Sequence, residues 1–480
     1  MDSLAPSSSK ISWLWVLTHI VAPGLVLSGL YRYFTDPLRR VPGPFIAKFT
    51  GAWMLYIDLS GQRSATVHRL HKIYGPAVRV GPSEVCFASP TALKEIYGAN
   101  SKYLKAPVYD SLGFRSTFTT RNRDEYRGMK KRIVPSFNST SISEIEPIVH
   151  RQLDLLVKSF DKRVDQPLNV LPWFRMLALG VVGEGFADDS FGGLENEKLP
   201  ELLNHIDEVF PVLWTKWMFP LTTATLDNAY EKYLATHNPS EHHDLIARMV
   251  NEQKELQKKG EILPFHVTDD GIVQELTNLM FAGTDTTGTT LTYLFWELAR
   301  HPEWILRLRE EINEALQGRD TFNYHEISEL PILEAVIQEI LRVRPAGPAG
   351  LQRLTPAEGA IVDGVALPGR VIISCQAMSS QRDPTIFEDP NRFNPQRWLD
   401  GERNGNADTM REQILVFGKG ARACLGRRLA TMELKCAAAI VTRRYNVKIG
   451  SPTTDSDMEM TDHFVLIPKG GKCLLELSRA

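Results

Sequence analysis

The residues with the clearest chemical potential surround one cysteine in a glycine-rich stretch. The segment FGKGARACLG, residues 417–426, contains three glycines, which predicts a loop whose backbone can come close to a flat ligand. Cys424 precedes a segment with helical periodicity, and the N–H groups and dipole of a helix start should shift its thiol toward thiolate. A thiolate beside a cavity is a strong ligand for iron, and Arg422 can pair with a carboxylate. The alternative is a buried structural cysteine.

A second stretch combines an acid with hydroxyl groups inside a predicted helix. Residues 282–290, AGTDTTGTT, lie between strong helix formers, although glycine and threonine cost up to about 1 kcal/mol each relative to alanine. Gly283 would let a ligand approach the backbone, and a threonine hydroxyl can bond to the carbonyl one turn earlier. Asp285 beside Thr286 can then pass protons to a bound molecule. The alternative is that two helices meet at a Thr/Gly-rich turn.

A largely helical framework is predicted around these residues. Apolar periodicity indicates one long helix from Asp269 to Arg300, with Thr268 as its N-cap and His301-Pro302 at its end. Further helices are predicted over residues 242–259, 332–343 and 425–444, and short strands over 77–81, 84–88 and 371–375 and from 464 onward. The predicted fold class is therefore mainly α with a small β portion.

The motif F-x-x-G-x-R-x-C-x-G, present from Phe417 to Gly426, resembles the heme-binding loop of the cytochrome P-450 family. The resemblance covers the whole chain and implies the cytochrome P-450 fold, mainly α with small β-sheets. It implies heme b (iron protoporphyrin IX) as the cofactor and Cys424 as the axial thiolate ligand of the iron. Arg422 and Phe417 become cofactor-binding residues, with Arg422 meeting a heme propionate.

The threonine-rich stretch is similar to the oxygen-binding motif of the same family, A/G-G-x-D/E-T-T/S. By this resemblance Thr286 is the catalytic hydroxyl beside the oxygen site, and Asp285 is the catalytic acid that supplies protons from solvent. Gly283 is a cofactor-binding residue. Family members that do not insert oxygen commonly lose the acid–threonine pair, which is present here. The resemblance therefore implies a monooxygenase.

Three residues are similar to the structural triad of the family. Glu339 and Arg342 are three residues apart and share a helix face, and the segment FNPQRW, residues 393–398, resembles the family pattern F-x-P-x-R-W and adds Arg397. We expect this buried network to fix one packing arrangement behind the heme loop. The three residues are interpreted as structural and not as catalytic.

Further cations are expected at the heme propionates. Arg353 matches a propionate-binding arginine of the family. The family pattern Trp-x-x-x-Arg, or His in place of Trp, is replaced here by Tyr126 and Lys130. A phenol and an ammonium group can hold a carboxylate, but lysine lacks the guanidinium fork. Whether these two cofactor-binding candidates hold the propionates stays open at the level of sequence.

Composition limits the class of protein. The 480 residues are 43% hydrophobic and 23% charged with a formal net charge of −2. This excludes a disordered or polytopic membrane protein and gives no field that would attract nucleic acid. Five cysteines, an odd number, argue against a disulfide framework. No repeat or long linker divides the chain, so we expect one heme domain over residues 45–480, after an N-terminal segment 1–31 and a basic, proline-rich linker 32–44.

The N-terminal segment is predicted to hold a transmembrane anchor over about residues 11–31. This stretch contains no Asp, Glu, Lys or Arg, and about 20 apolar residues span a bilayer core. Arg32, Arg39 and Arg40 follow it, and the positive-inside rule then places the remaining chain in the cytosol. A cleaved signal peptide and a buried core helix are the alternatives. We expect a single-pass protein of the endoplasmic reticulum membrane whose catalytic domain faces the cytosol.

Basic residues at 121–132 and 419–428 predict a patch suited to an acidic electron donor, although a solvated face is the alternative. The resemblance implies that the donor is an NADPH-cytochrome P-450 reductase, with cytochrome b5 as a second candidate. The partner then carries the nicotinamide and flavin, in agreement with the lack of a G-x-G-x-x-G motif here.

The substrates implied by the resemblance are O2 and a lipophilic small molecule, in the manner of fungal secondary-metabolism members. The alternative functions are oxidative cyclisation, coupling or isomerisation without net oxygen insertion, and a non-enzymatic heme protein such as a gas sensor or electron carrier. By the same resemblance, substrate contacts are expected from residues 108–118, 346–350 and 463–464 and from helices near Phe210, Trp214 and Trp217.

Overall fold

The computed structural model describes residues 16–209, 228, 230–237 and 245–480. Helices form most of it. In chain order they are α1 (Ala22–Thr35), α2 (Ala52–Leu59), α3 (Arg63–Tyr74), α4 (Pro90–Tyr97), α5 (Arg123–Ile133), α6 (Ser139–Asp161), α7 (Val170–Ala187), α8 (Glu201–Val209), α9 (Leu245–Lys258), α10 (Asp269–Arg300), α11 (Pro302–Ala315), α12 (Tyr324–Ile327), α13 (Pro331–Val343), α14 (Ala377–Ser380), α15 (Gln396–Asn404), α16 (Ala407–Gln413) and α17 (Arg427–Arg444).

The strands are short and lie at the edge of the helical core. They are β1 (Ala77–Gly81), β2 (Glu84–Phe87), β3 (Leu104–Lys105), β4 (Pro167–Asn169), β5 (Arg353–Leu354), β6 (Ala360–Val362), β7 (Val365–Leu367), β8 (Ile372–Cys375), β9 (Tyr445–Ile449), β10 (Met460–His463), β11 (Val465–Pro468) and β12 (Leu474–Arg479). The main sheet has the order β1-β2-β8-β5-β3, and smaller sheets are β4-β12-β9, β10-β11 and β6-β7. The mainly α fold with small sheets is as the sequence predicts.

The long helix α10 forms the centre of the fold and packs along α7. Its bounds are those expected from sequence, because the Thr268 hydroxyl caps its first turn by accepting from the Gly271 N–H at 3.2 Å. The helix is continuous through residues 282–290. The interpretation of that stretch as a turn between two helices is therefore wrong.

The two glycines of this stretch allow α7 and α10 to approach each other closely. A Cβ added at Gly283 would lie 2.4 Å from Val182 Cγ2, and one at Gly288 would lie 2.8 Å from Arg175 Cα. Any larger residue would therefore push the two helices apart. Close helix packing, rather than approach of a ligand alone, accounts for Gly283.

The N-terminal part of the predicted anchor, residues 11–15, lies outside the described residues. From Leu17 the chain is helical, first as a π-helical turn to Val21 and then as α1 to Thr35. Its side chains include the exposed Leu27, Leu30 and Phe34. Among the described residues, one helix is long and apolar enough to cross a membrane, Val170–Ala187, and that helix is mostly buried in the core.

Candidate active site

A deep cavity lies between α10 and residues 417–426, here called the cysteine loop. Its wall includes Thr286 and Gly283 from α10, Phe417, Arg422 and Cys424 from the cysteine loop, and Arg353 from β5. Most of the candidates that the sequence singled out therefore meet at one place, although more than 100 residues separate α10 from the cysteine loop. Most of the other lining residues are apolar.

The cysteine loop is held in a tight shape by its own backbone. The Cys424 N–H donates to the Phe417 carbonyl at 2.7 Å, and the Ala423 N–H donates to the Gly420 carbonyl at 3.1 Å. Gly420 has φ +64°, and a Cβ there would lie 2.4 Å from the Tyr97 carbonyl oxygen. Only glycine meets both conditions without strain, which explains the glycine of the motif at position 420.

Cys424 is exposed to the cavity although it lies deep inside the protein. This position raises the pKa of its thiol through burial, while hydrogen bonds from the Gly426 and Arg427 N–H groups oppose the rise. The N–H groups at the helix start therefore favour the thiolate, as expected from sequence, but they do not outweigh burial, and the net direction is upward. The thiol lies three residues before α17 begins, and desolvation outweighs the N–H groups there. A bound cation would reverse that balance.

Helix α5 packs against the cysteine loop through Tyr126 and Lys130. The Tyr126 hydroxyl donates to the Ala421 carbonyl at 2.6 Å, and Lys130 Nζ donates to the same oxygen at 2.8 Å. Tyr126 lines the cavity, whereas Lys130 is not part of its wall. The guanidinium of Arg422 stacks on the Tyr126 ring, 3.4 Å from its centroid. Both residues of α5 therefore support the cysteine loop.

Three cations line one side of the cavity without a carboxylate partner among the described residues. They are Lys105, Arg353 and Arg422. Lys105 lies directly opposite Arg353 in the β3–β5 pairing, so both side chains share one face of the sheet. Burial lowers the pKa of Lys105 well below its usual value and that of Arg422 to about 10, and Arg353 adds to both effects. Such a group of unpaired cations fits a dianionic ligand.

Thr286 and Asp285 face different directions from α10. Thr286 lines the cavity, and its hydroxyl donates to the Ala282 carbonyl at 2.6 Å, as expected for threonine in a helix. Asp285 is buried away from the cavity, where its Oδ1 accepts from Arg175 Nε at 2.7 Å and its Oδ2 has no hydrogen-bond partner among the described residues. Burial raises the pKa of Asp285, and Arg175 opposes the rise. Arg175 also pairs with the half-exposed Asp207 at 2.7 Å.

The residues Glu339, Arg342 and Arg397 form a buried network behind the cysteine loop. Arg342 donates through Nε and Nη2 to the two Glu339 oxygens at 2.8 and 2.7 Å, and Arg397 Nε donates to Oε1 at 3.2 Å. Arg342 Nη1 also donates to the Gln381 carbonyl at 3.0 Å. Gln381 in turn accepts from the N–H groups of Leu415 and Val416 at 2.8 and 3.1 Å. The network thus reaches the residues that enter the cysteine loop.

Comparison with known proteins agrees with this arrangement. The family model described as Cytochrome P-450 matches residues 41–475. The chain belongs to the cytochrome P-450 family. Its similarity to curated proteins extends over nearly its full length, and these proteins are named cytochrome P-450 monooxygenases. This chain is an enzyme of that kind, and the family implies a heme-thiolate cofactor.

The relatives of this P-450 include fungal enzymes. The cytochrome P-450 monooxygenase tazI from Aspergillus terreus is 30% identical over 483 residues, which cover 94% of this chain and 96% of that protein. The monooxygenase stcB from Emericella nidulans is 30% identical over 519 residues, covering 99% and 98%. The crystal structure of the cytochrome P450DA heme domain has a TM-score of 0.77 at 17% identity and covers 92% of this chain and 98% of that one. This last similarity establishes the P-450 fold.

Sequence reasoning missed Lys105 and Gln381 in this P-450. Neither lies in a recognisable motif, and each acts through contacts between distant segments of the chain. A strand of two residues, such as the one that holds Lys105, is too short to show a hydrophobic periodicity in the sequence. The predicted substrate segments at 108–118, 346–350 and 463–464 all contribute to the cavity wall. Phe210, Trp214 and Trp217 lie outside the described residues.

Proposed function

We propose that residues 45–480 form one heme domain that binds heme b in the cavity, with Cys424 as the axial ligand of the iron. The enzyme then oxidises a lipophilic small molecule with O2, using electrons from NADPH through a partner reductase. The observation that carries the proposal is the arrangement of the cavity: the Cys424 thiol faces it, and its wall also holds three cations that have no carboxylate partner among the described residues. Heme with a thiolate ligand supplies the activation of dioxygen.

The cations fit the two propionates of a heme. Arg353 and Arg422 each carry a guanidinium that can form two parallel hydrogen bonds to one carboxylate, and Lys105 adds a third charge. Two carboxylates would neutralise most of this buried positive charge and so relieve its desolvation cost. Tyr126 and Lys130 have a different role in this proposal, because both donate to the Ala421 carbonyl and so hold the cysteine loop against α5.

The chain's own contribution to proton transfer is assigned to Thr286 and Asp285. The Thr286 hydroxyl faces the cavity and can donate a proton inward while it accepts one in return. Asp285 lies behind it on α10, paired with Arg175, and Arg175 connects it to Asp207 near the surface. Release of Asp285 from Arg175 by a side-chain rotation would let its carboxyl carry protons between solvent and the helix.

Docking of a reductase is supported by the charges around the cysteine loop. Lys131, Arg427 and Arg428 are exposed. Lys131 lies on α5, which packs against the cysteine loop, and Arg427 and Arg428 begin α17 directly after that loop. An acidic partner would be attracted there.

A membrane anchor is supported by the exposed apolar side chains of α1. On this basis the protein is proposed to be a single-pass enzyme of the endoplasmic reticulum membrane with its catalytic domain in the cytosol.

The spectrum of the reduced, CO-bound protein tests the heme assignment. We expect the red-shifted Soret band of thiolate ligation in the wild type and in Cys436→Ala, a matched change at a buried cysteine of α17. Cys424→Ala should lose that band. A wild-type Soret band without the shift, or an unchanged band in Cys424→Ala, would contradict the assignment.

The type of reaction is tested separately by isotope labelling. Turnover with a reductase under 18O2 should add one labelled oxygen atom to the product, read by mass spectrometry. Fungal relatives support a substrate from secondary metabolism, so terpenoid, polyketide and alkaloid scaffolds form the test panel. A product that loses hydrogen without gaining label would favour oxidative cyclisation or coupling instead.

A further inference from the structure

One polar side chain of α10 interrupts the apolar part of the cavity wall. Asn278 lines the cavity beside Leu279, Phe281 and Ala282, and the residue is 7% exposed. It shares a helix face with Ala282 and Thr286, because residues four apart lie one above the other. A buried amide in such a wall must find hydrogen-bond partners or cost free energy.

The neighbouring carboxylate decides how the Asn278 amide is oriented. Asn278 Nδ2 donates to Glu275 Oε1 at 3.0 Å. Glu275 is 1% exposed and also accepts from the Thr117 N–H at 2.7 Å and from the Thr117 hydroxyl at 2.5 Å. A carboxylate can only accept hydrogen bonds, and only the NH2 end of an amide can donate one. The NH2 end of Asn278 must therefore face Glu275. Burial raises the pKa of Glu275, and these bonds oppose the rise.

The other end of the amide is thereby left for a ligand. In the described part of the chain, no protein donor bonds to Asn278 Oδ1. The segment that contains Thr117 is also fixed in place. Glu275 accepts from both the N–H and the hydroxyl of Thr117, and the Thr117 carbonyl accepts from Arg422 Nη1 at 3.4 Å. Glu275 thus leaves Asn278 Oδ1 free to face the cavity and also holds Thr117 in the cavity wall.

We propose that Asn278 Oδ1 accepts a hydrogen bond from a hydroxyl or N–H group of the substrate, and that Glu275 is the positioning residue for this contact. The inference rests on the proposed oxidation at the heme. Thr286 lies eight residues further along α10, about 12 Å along the axis. The substrate class is therefore a lipophilic molecule with a hydrogen-bond donor at the end that lies beside Asn278, about two helical turns of α10 from Thr286.

The physical basis of the discrimination is the cost of an unpaired acceptor. A molecule of the same shape that lacks the donor removes water from Asn278 Oδ1 and gives nothing in return. Sites built around such a contact reject analogues that lack it more strongly than apolar pockets reject small changes in size. An ether or ketone in place of the hydroxyl should therefore bind more weakly than the alcohol.

Ligand binding to the purified, heme-loaded protein tests this inference with two probe series. The first is 5α-androstan-3β-ol with its 3-methyl ether and the 3-ketone, and the second is 1-dodecanol with its methyl ether. Affinities are measured by equilibrium dialysis and by the spin-state shift of the Soret band. We expect the alcohol to bind about five- to tenfold more tightly than the ether in at least one series. Absence of this preference in both series would overturn the proposal.

Three variants assign the preference to the residues named here. In Asn278→Leu the alcohol should lose its five- to tenfold advantage while the ether binds as before. Leu279→Val, the matched control, should change both affinities by the same factor. In Glu275→Gln the new amide can donate to Asn278 and turn it, so that Nδ2 faces the cavity and the ketone gains affinity over the wild type.

A preference for alcohol that survives in Asn278→Leu would refute the role of this residue. The reduced, CO-bound spectrum is recorded for each protein, because it separates this inference from the proposed function. A normal thiolate band without any alcohol preference counts against the Asn278 contact alone. A wild-type spectrum without the thiolate band counts against the heme assignment itself.

Discussion

Replacing Glu339 by glutamine should destabilise the fold and loosen the cysteine loop together. The Glu339 side chain has no exposure to solvent. Besides the two arginines, its carboxylate accepts from the Asn394 N–H at 2.8 Å and the Trp398 indole N–H at 2.9 Å. Glutamine keeps the shape, but it removes the negative charge and turns one acceptor into a donor. Arg342 would then remain buried without a counter-charge.

The size of the effect follows from the number of bonds lost. The fork of Arg342 contacts both oxygens of Glu339, so the amide NH2 of glutamine must face at least one donor. Loss of hydrogen bonds to a charged group costs about 1.5–3 kcal/mol each, and breaking a buried ion pair from one side costs about 3–5 kcal/mol. We therefore expect the free energy of unfolding to fall by about 3–5 kcal/mol.

Loss of the Glu339–Arg342 ion pair should also loosen the cysteine loop. Arg342 donates to the Gln381 carbonyl, and the Gln381 side chain accepts from the residues that enter this loop. Urea unfolding followed by far-UV circular dichroism measures the stability, and the reduced, CO-bound spectrum measures the fraction with thiolate ligation. Asp408→Asn, which removes an exposed pair with Arg411, is the control and should change neither. A Glu339→Gln protein within 1 kcal/mol of the wild type would refute the reasoning.

Three further changes test individual residues of the site. Lys105→Met should speed heme loss by about tenfold or more, because one charged hydrogen bond to a propionate is removed. Heme transfer to apomyoglobin measures this rate, and an unchanged rate would contradict the role of Lys105. Arg175→Leu should raise the pKa of Asp285 further, since burial remains and the opposing cation is lost. Because Asp285 must be protonated to supply a proton, the alkaline limb of the pH–rate profile should move to higher pH, and a fixed limb would argue against Asp285. Thr286→Ala should raise the yield of H2O2 per NADPH while Thr286→Ser retains coupling; tight coupling in the alanine variant would exclude the proton role.

Much of this site could be predicted because its information is local in sequence. The turns of the cysteine loop are closed by hydrogen bonds within the loop itself, and α10 begins at its own capping threonine. Motif spacing also identified Glu339 and Arg342, since a helix places residues three apart on one face. These features need no knowledge of the rest of the fold.

Other parts of the site depend on how distant segments pack. The sequence places Asp285 and Thr286 side by side, but adjacent residues of a helix point about 100° apart, and only the position of α7 decides that one of them meets Arg175. Gly283 is explained by the side chain of Val182, which no local pattern reveals. The position of Lys105 beside Arg353 appears only when β3 pairs with β5.

The sequence by itself thus determined the motifs, the long central helix and the family, because short-range backbone geometry and helical periodicity are encoded in neighbouring residues. The tertiary structure alone decided which side chains face the cavity, which charges remain unpaired there and how the Asn278 amide is turned. The physical reason is that desolvation and hydrogen-bond satisfaction depend on every group within a few ångströms. Those groups come from segments that can lie far apart along the chain.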